Sequence, residues 1–340
     1  MRRWSRERSW EALLAVILTA TVAYNASQSD VYLDVDNFVN IFRLSIEKVI
    51  VAVSMTFVII SGEIDLSVAS VMALSACTLA FAHDAGVPFW LALVLALVVS
   101  ATAGLLQGAV VATTGISSLV VTLAGLIGFR GLARVLLEDR SIGDFPGWFD
   151  DLGRADFVGP MPFALVLFLV MLVLGGALLH RTSMGRRRYV IGDNAEVARF
   201  SGIDVARSKV LLFTASSFVA GVAGVLFAAR LGSVRANIGE GYELDIITMV
   251  LLGGVSIFGG SGTLLGVALA VCIVLNLRNG LGLARVEANT QTGVVGALLI
   301  MSVLAQNVLD RLPLRRAGQE PGPAPGPGNE AAGAEAEAAT

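Results

Sequence analysis

The feature that most limits what this chain can become is the succession of long apolar runs filling most of its length. A helix needs about 17–25 predominantly apolar residues to cross the hydrocarbon of a bilayer. Runs of that kind fall at roughly 10–29, 44–62, 66–83, 87–112, 119–137, 161–180, 210–232, 244–258, 262–281 and 290–310. One buried core cannot absorb them: 55% of the 340 residues are apolar and 15% charged, against about a quarter charged in soluble domains. The expected class is all-α, a polytopic protein in a lipid bilayer with about ten transmembrane helices.

Charge placement orients the spans. Arg2, Arg3, Arg6 and Arg8 precede the first run, which puts the N-terminus in the cytoplasm by the positive-inside rule. Basic residues gather again between Arg181 and Lys209 and at Arg311, Arg315 and Arg316, whereas 30–36, 138–156 and 240–245 are acidic. An even number of spans returns the C-terminus to the cytoplasm and places 181–209 inside and 138–160 outside, in agreement with the charges. The competing reading of the basic start and Ala12–Ala26 is a signal peptide, which the many similar spans disfavour. A net charge of −3 argues against a nucleic-acid partner. The expected domains are a cytoplasmic N-terminus (1–9), a transmembrane domain (10–312) and a disordered cytoplasmic tail (313–340). That tail is rich in Pro, Gly, Ala and Glu and lacks apolar periodicity. Cys77 and Cys272 lie in separate apolar runs and are expected to pack rather than pair. Outside, the segment 138–160 carries Phe145, Trp148 and Phe149, either an interfacial stretch or a docking surface for an extracytoplasmic partner.

Two runs carry interruptions. Fourteen residues separate Lys48 from Glu63, about 21 Å as helix, while the hydrocarbon core is about 30 Å thick. Some of Glu47, Lys48, Glu63 and Asp65 must then approach or enter the membrane slab, where a charge is tolerated if it faces protein or water. The stretch "SGEIDLS" is expected to bend the chain in the cytoplasmic third of the membrane, lining an interior or cavity; the alternative is a tight turn with its acids in water. Between Asp245 and Arg278 lie 32 uncharged residues, too many for one span and too few for two of about 20 each. Gly253, Gly254, Gly259 and Gly260 sit in their middle and are expected to break the run into two short helices. Gly-interrupted segments of that kind point to translocation sites in transporters, although small residues also simply allow close helix packing. Glu63, Asp65, Ser67 and these four glycines are the candidates for the translocation path.

In the cytoplasmic segment, "GDNAEVARFSG" sets Asp193 three residues before Glu196, the spacing of a capping box, with Gly202 as a stop. The helix between them, about eight residues, is too short to stand alone in water. Its Val197 and Phe200 beside basic residues suit a groove on a soluble subunit, or else the helix lies on the membrane.

Enzyme chemistry has no foothold. The only lysines, Lys48 and Lys209, do not follow glycine, so no phosphate-binding G-x-x-x-x-G-K-[ST] loop exists. His83 and His180 lack metal-ligand partners at useful spacing, and neither G-x-S-x-G nor H-E-x-x-H occurs. No catalytic residue, metal or cofactor is expected.

Taken together, "SGEIDLSVAS" (61–70), "GDNAEVARFSGI" (192–203) and "LLGGVSIFGGSGT" (251–263) resemble the signature stretches of the ribose-type carbohydrate ABC importer permeases, the ribose, xylose, rhamnose and autoinducer-2 branch. The resemblance runs from about residue 10 to 312. It implies a pore-forming subunit of a bacterial-type plasma membrane importer for a monosaccharide. Its implied partners are a cytoplasmic ABC ATPase subunit, a second permease, identical or paralogous, and an extracytoplasmic sugar-binding protein. By the match, Gly192, Asp193, Asn194, Glu196, Ala198, Ser201 and Gly202 fall in the segment that couples to the ATPase, and Asp65, Leu66 and Ser67 carry over from the first motif. The family commonly has glycine where Glu63 and Ala69 stand, a departure similar to the rhamnose and autoinducer-2 branches. Two other functions compete: an ion- or proton-coupled secondary sugar transporter in which Glu63 and Asp65 titrate, and a membrane scaffold without transport.

Overall fold

Helices make up most of the computed structural model, which describes residues 2–138, 140–154, 156–158 and 161–311. In chain order they are α1 (Arg2–Gln28), α2 (Val35–Arg43), α3 (Ile46–Ile60), α4 (Val68–Asp84), α5 (Phe89–Thr114), α6 (Ser118–Leu137), α7 (Gly147–Arg154), α8 (Phe163–Arg181), α9 (Ser183–Asp193), α10 (Ala195–Phe200), α11 (Val205–Leu231), α12 (Tyr242–Leu252), α13 (Leu264–Leu283) and α14 (Ala288–Arg311). Short strand pairs join Ile142–Gly143 to Ser233–Val234 and Asp156–Val158 to Met161–Pro162. Met1–Val303 forms one unit; of the second, Leu304–Thr340, only the end of α14 is described. The expected tail, 313–340, lies outside the described residues.

Every predicted apolar run coincides with a helix, and the all-α class holds. Among the described residues, five helices, α1, α5, α6, α11 and α13, are by length and composition able to cross a membrane by themselves. A sixth crossing is formed if α8 and α9, bent by 70°, count as one. The others are shorter. At 15 residues α3 spans about 22 Å, yet it is enclosed by protein along nearly its whole surface. Beyond its charged first turn α3 is apolar on nearly every side, and a helix of that kind belongs in an interior. It packs against α11, α12 and α8, while α11 also lies along α5 and α4 and α1 lies along α13.

The segment 140–154 is folded onto the body. Phe145 and Phe149 are buried, and Trp148 is exposed. Phe149 meets Phe89 of α5 edge-on at 4.8 Å and Phe145 at 5.5 Å, while Arg154 Nε donates to the Arg230 carbonyl at 3.0 Å. The amphipathic α2 and α7 were not anticipated from the apolar runs.

Candidate functional site

The three sequence motifs end helices by one device. Gly62, Gly202 and Gly254 have φ of 77°, 77° and 87°, a region only glycine enters without strain. Each closes a Schellman motif: Gly62 N donates to Ile59 O and Glu63 N to Val58 O; Gly202 N to Arg199 O and Ile203 N to Ala198 O; Gly254 N to Leu251 O and Val255 N to Val250 O. Thus α3, α10 and α12 stop where their glycines dictate.

The motifs then meet. Gly260 N donates to Ile60 O at 2.9 Å, tying the loop after α12 to the end of α3. Gly192, near the end of α9, covers that bond so closely that a Cβ there would stand 1.9 Å from Ile60 O and 2.6 Å from Gly260 N. A Cβ on Gly259 would stand 2.7 Å from Gly62 Cα and 2.9 Å from Gly192 O. Tyr189 Oη adds a bond to Gly262 O at 2.8 Å. The junction is main chain against main chain, which is why glycines recur in it. Gly259 and Gly260 therefore lie against the segment 192–193. Gly253 packs against Val267 of α13 and Gly254 against Trp10 of α1.

The two acids of "SGEIDLS" differ in surroundings. Asp65 is wholly buried; its Oδ1 accepts from the Ser67 amide at 2.9 Å and lies 2.6 Å from Ser67 Oγ. Ser67 Oγ also lies 3.0 Å from Gln107 Oε1 of α5. Between the acids, Ile64 fastens the turn to α6: its amide donates to Ser118 Oγ at 3.2 Å and its carbonyl accepts from Thr122 Oγ1 at 3.2 Å. Glu63 is buried in an ion pair with Lys209 of α11. That pair edges a cavity of about 300 Å³ lined also by Gly62, Ser117, Ser118 and Arg199.

A second charge cluster holds the opposite ends of α3 and α12. Lys48 Nζ lies 2.7 Å from Asp245 Oδ2 and 4.0 Å from the Tyr242 ring centroid. Arg278 of α13 bonds Asp245 Oδ1 at 2.5 Å, and Arg230 of α11 bonds Glu47 Oε1 at 2.7 Å. Both lysines of the chain are thus paired with acids far away in sequence. The helix α3 bears charges at an end that does not face lipid.

In the basic segment the structure corrects the expected cap. Instead of one helix opened by Asp193, α9 runs through Asp193, and Asn194, extended at φ −160° and ψ 110°, opens the six-residue α10. Asn194 Oδ1 accepts from Glu196 N at 2.9 Å and Val197 N at 3.1 Å. The capping box is not formed as spaced, because α9 holds Asp193 in helical geometry. Ala198 is buried against Ile191 and Val205, while Val197 and Phe200 on the other side are 54% and 93% exposed.

Against known proteins, the model of the family described as "Branched-chain amino acid transport system / permease component" matches residues 37–303. The chain belongs to this permease family. Among curated relatives, the autoinducer 2 import system permease protein LsrD of Yersinia enterocolitica is 36% identical over 89% of this chain and 93% of its own length. The proteins of that name from Photorhabdus luminescens and Yersinia pseudotuberculosis are 34% and 35% identical, over 88% and 89% of this chain and 91% and 92% of theirs. No solved structure matches. The resemblance to ribose-type ABC importer permeases holds at family level. The chain is a multi-pass inner-membrane permease subunit of an ABC importer and not an enzyme; an importer of this kind takes its energy from an ATPase subunit and its cargo from a substrate-binding protein. Membership displaces the ion-coupled and scaffold readings.

Proposed function

We propose that this permease imports a monosaccharide-type sugar of the autoinducer-2 or rhamnose class, and that residues 192–202 receive the force of ATP hydrolysis. The autoinducer-2 class is supported by the relatives that share about a third of its residues, and the rhamnose class by the departures at Glu63 and Ala69. In this reading the chain crosses the membrane about ten times with both termini in the cytoplasm, and pairs with a second, identical or paralogous permease around the path. Glu63, Asp65 and Ser67 stand at its cytoplasmic end.

One observation carries the coupling role: the main chain at Gly192 sits directly on the bond between the end of α3 and the loop after α12. A subunit that moved α10 would move Asn194, hence α9, and hence two buried helices at once, with no flexible side chain between to absorb the motion. Gly202→Pro tests it. Proline is held near φ −65° and cannot occupy the 77° that closes α10. In the reconstituted importer the variant is expected to insert normally and to lose binding-protein-stimulated ATP hydrolysis and uptake together. Stimulated hydrolysis at the unmodified rate would refute the coupling role.

A further inference from the structure

The glycine-rich loop after α12 does more than break a helix, because it presents an aromatic side chain to the outside. Phe258 is 81% exposed. Its loop is closed on itself: Ser256 N donates to Ser261 O at 3.1 Å, Gly259 N to Ser256 O at 2.9 Å and Phe258 N to Ser256 Oγ at 3.3 Å. A large apolar group held out by an ordered turn has already met the cost of fixing its backbone, and preorganised aromatic residues of this kind dominate binding interfaces. The same turn is wedged against Gly192 and Asp193 through Gly259 and Gly260. From there α10 extends for six residues, about 9 Å, to Phe200.

We infer that Phe258 is a second anchor for the cytoplasmic ATPase subunit, docking beside Val197 and Phe200. This rests on the coupling role of 192–202. The two segments share the composition of a protein interface, apolar residues with polar neighbours: Val197, Phe200 and Phe258 are exposed, so are Asp193, Asn194, Glu196 and Arg199, and Gly259 and Gly260 bring the Phe258 turn against 192–193. Asp193, Glu196 and Arg199, exposed in the segment that carries Val197 and Phe200, disfavour lipid hydrocarbon as the occupant. The occupant is instead a soluble subunit with apolar depressions and charges of both signs around them. Two anchors, one on each side of the glycine junction, would let that subunit grip α10 and the α12 loop together.

The test uses the complete importer, this chain co-expressed with its ATPase and partner permease and purified in detergent. Phe258→Ser is expected to weaken retention of the ATPase by about tenfold or more, the loss typical of an aromatic hot spot, while Phe258→Leu retains most of it. A Phe258→Ser importer that keeps its ATPase when Phe200→Ser loses it overturns the second anchor and leaves the coupling role standing. Retention in both variants overturns both. If Phe258→Ser does not accumulate, a photo-crosslinking phenylalanine analogue at 258 decides: adducts with the ATPase support the inference, and adducts only with lipid or permease overturn it.

Discussion

Replacing Gly192 by alanine is the sharpest available challenge to the glycine junction. The added methyl would lie 1.9 Å from Ile60 O and 2.6 Å from Gly260 N, the acceptor and donor of one hydrogen bond. Neither atom belongs to a flexible side chain, so relief requires α9 to move off α3 or the α12 loop to move off both. Overpacking in a close-packed interior costs about 1–3 kcal/mol. Separating the bonded pair adds about 1 kcal/mol, which brings the expected loss to about 2–4 kcal/mol. The proper control is Gly176→Ala in α8, where the new Cβ meets nothing within 4 Å and helix propensity predicts a gain of up to about 1 kcal/mol. Thermal loss of monodisperse protein in detergent would compare them, with binding-protein-stimulated ATP hydrolysis as the second readout. Gly192→Ala is expected to melt several degrees lower and to lose stimulation, Gly176→Ala to do neither. Equal melting of the two variants would show that the junction is not close-packed and would remove the basis of the coupling argument.

Two further outcomes follow from side-chain geometry. Asp245→Ala leaves the buried Lys48 and the partly buried Arg278 without their shared acid, and breaking a buried pair typically costs about 3–5 kcal/mol; heat inactivation in detergent should show the loss, and an unchanged midpoint would mean the cluster is open to water. Asn194→Ala removes the acceptor for two amides at the start of α10, worth about 0.5–2 kcal/mol; hydrogen exchange of the α10 amides should accelerate while that of α11 stays as it was.

What could be read from the residues alone follows from the range of the forces. Apolar length set each long helix, and Gly202 and the glycines from Gly253 onward announced their stops, because a positive φ is a property of one residue. The error at Asp193 came from the same locality: a box spacing is necessary for that cap, but α9 was invisible in a stretch with little apolar periodicity, and its continuation gave the cap to Asn194. The amphipathic α2 was hidden for a similar reason, lying between an acidic loop and a stronger run. Partners across the fold were beyond reach. Lys48 and Asp245 are 197 positions apart, and nothing in either neighbourhood names the other. Glycine conceals its partners most completely, since a residue without a side chain leaves no pattern of size or polarity to match. The runs at 192 and 259 were therefore recognisable separately, but not as two halves of one contact.

The parallel pair formed by α3 and α12 is fastened differently at its two extremities. Where the helices begin, the fastening is made of ionised groups, and it answers to whatever alters charge. Where they finish, the bond that ties them joins one peptide group to another, and it answers first to bulk. A mutational campaign on this protein can therefore loosen either extremity without disturbing the other: by neutralising a side chain at the first, by adding a single carbon at the second.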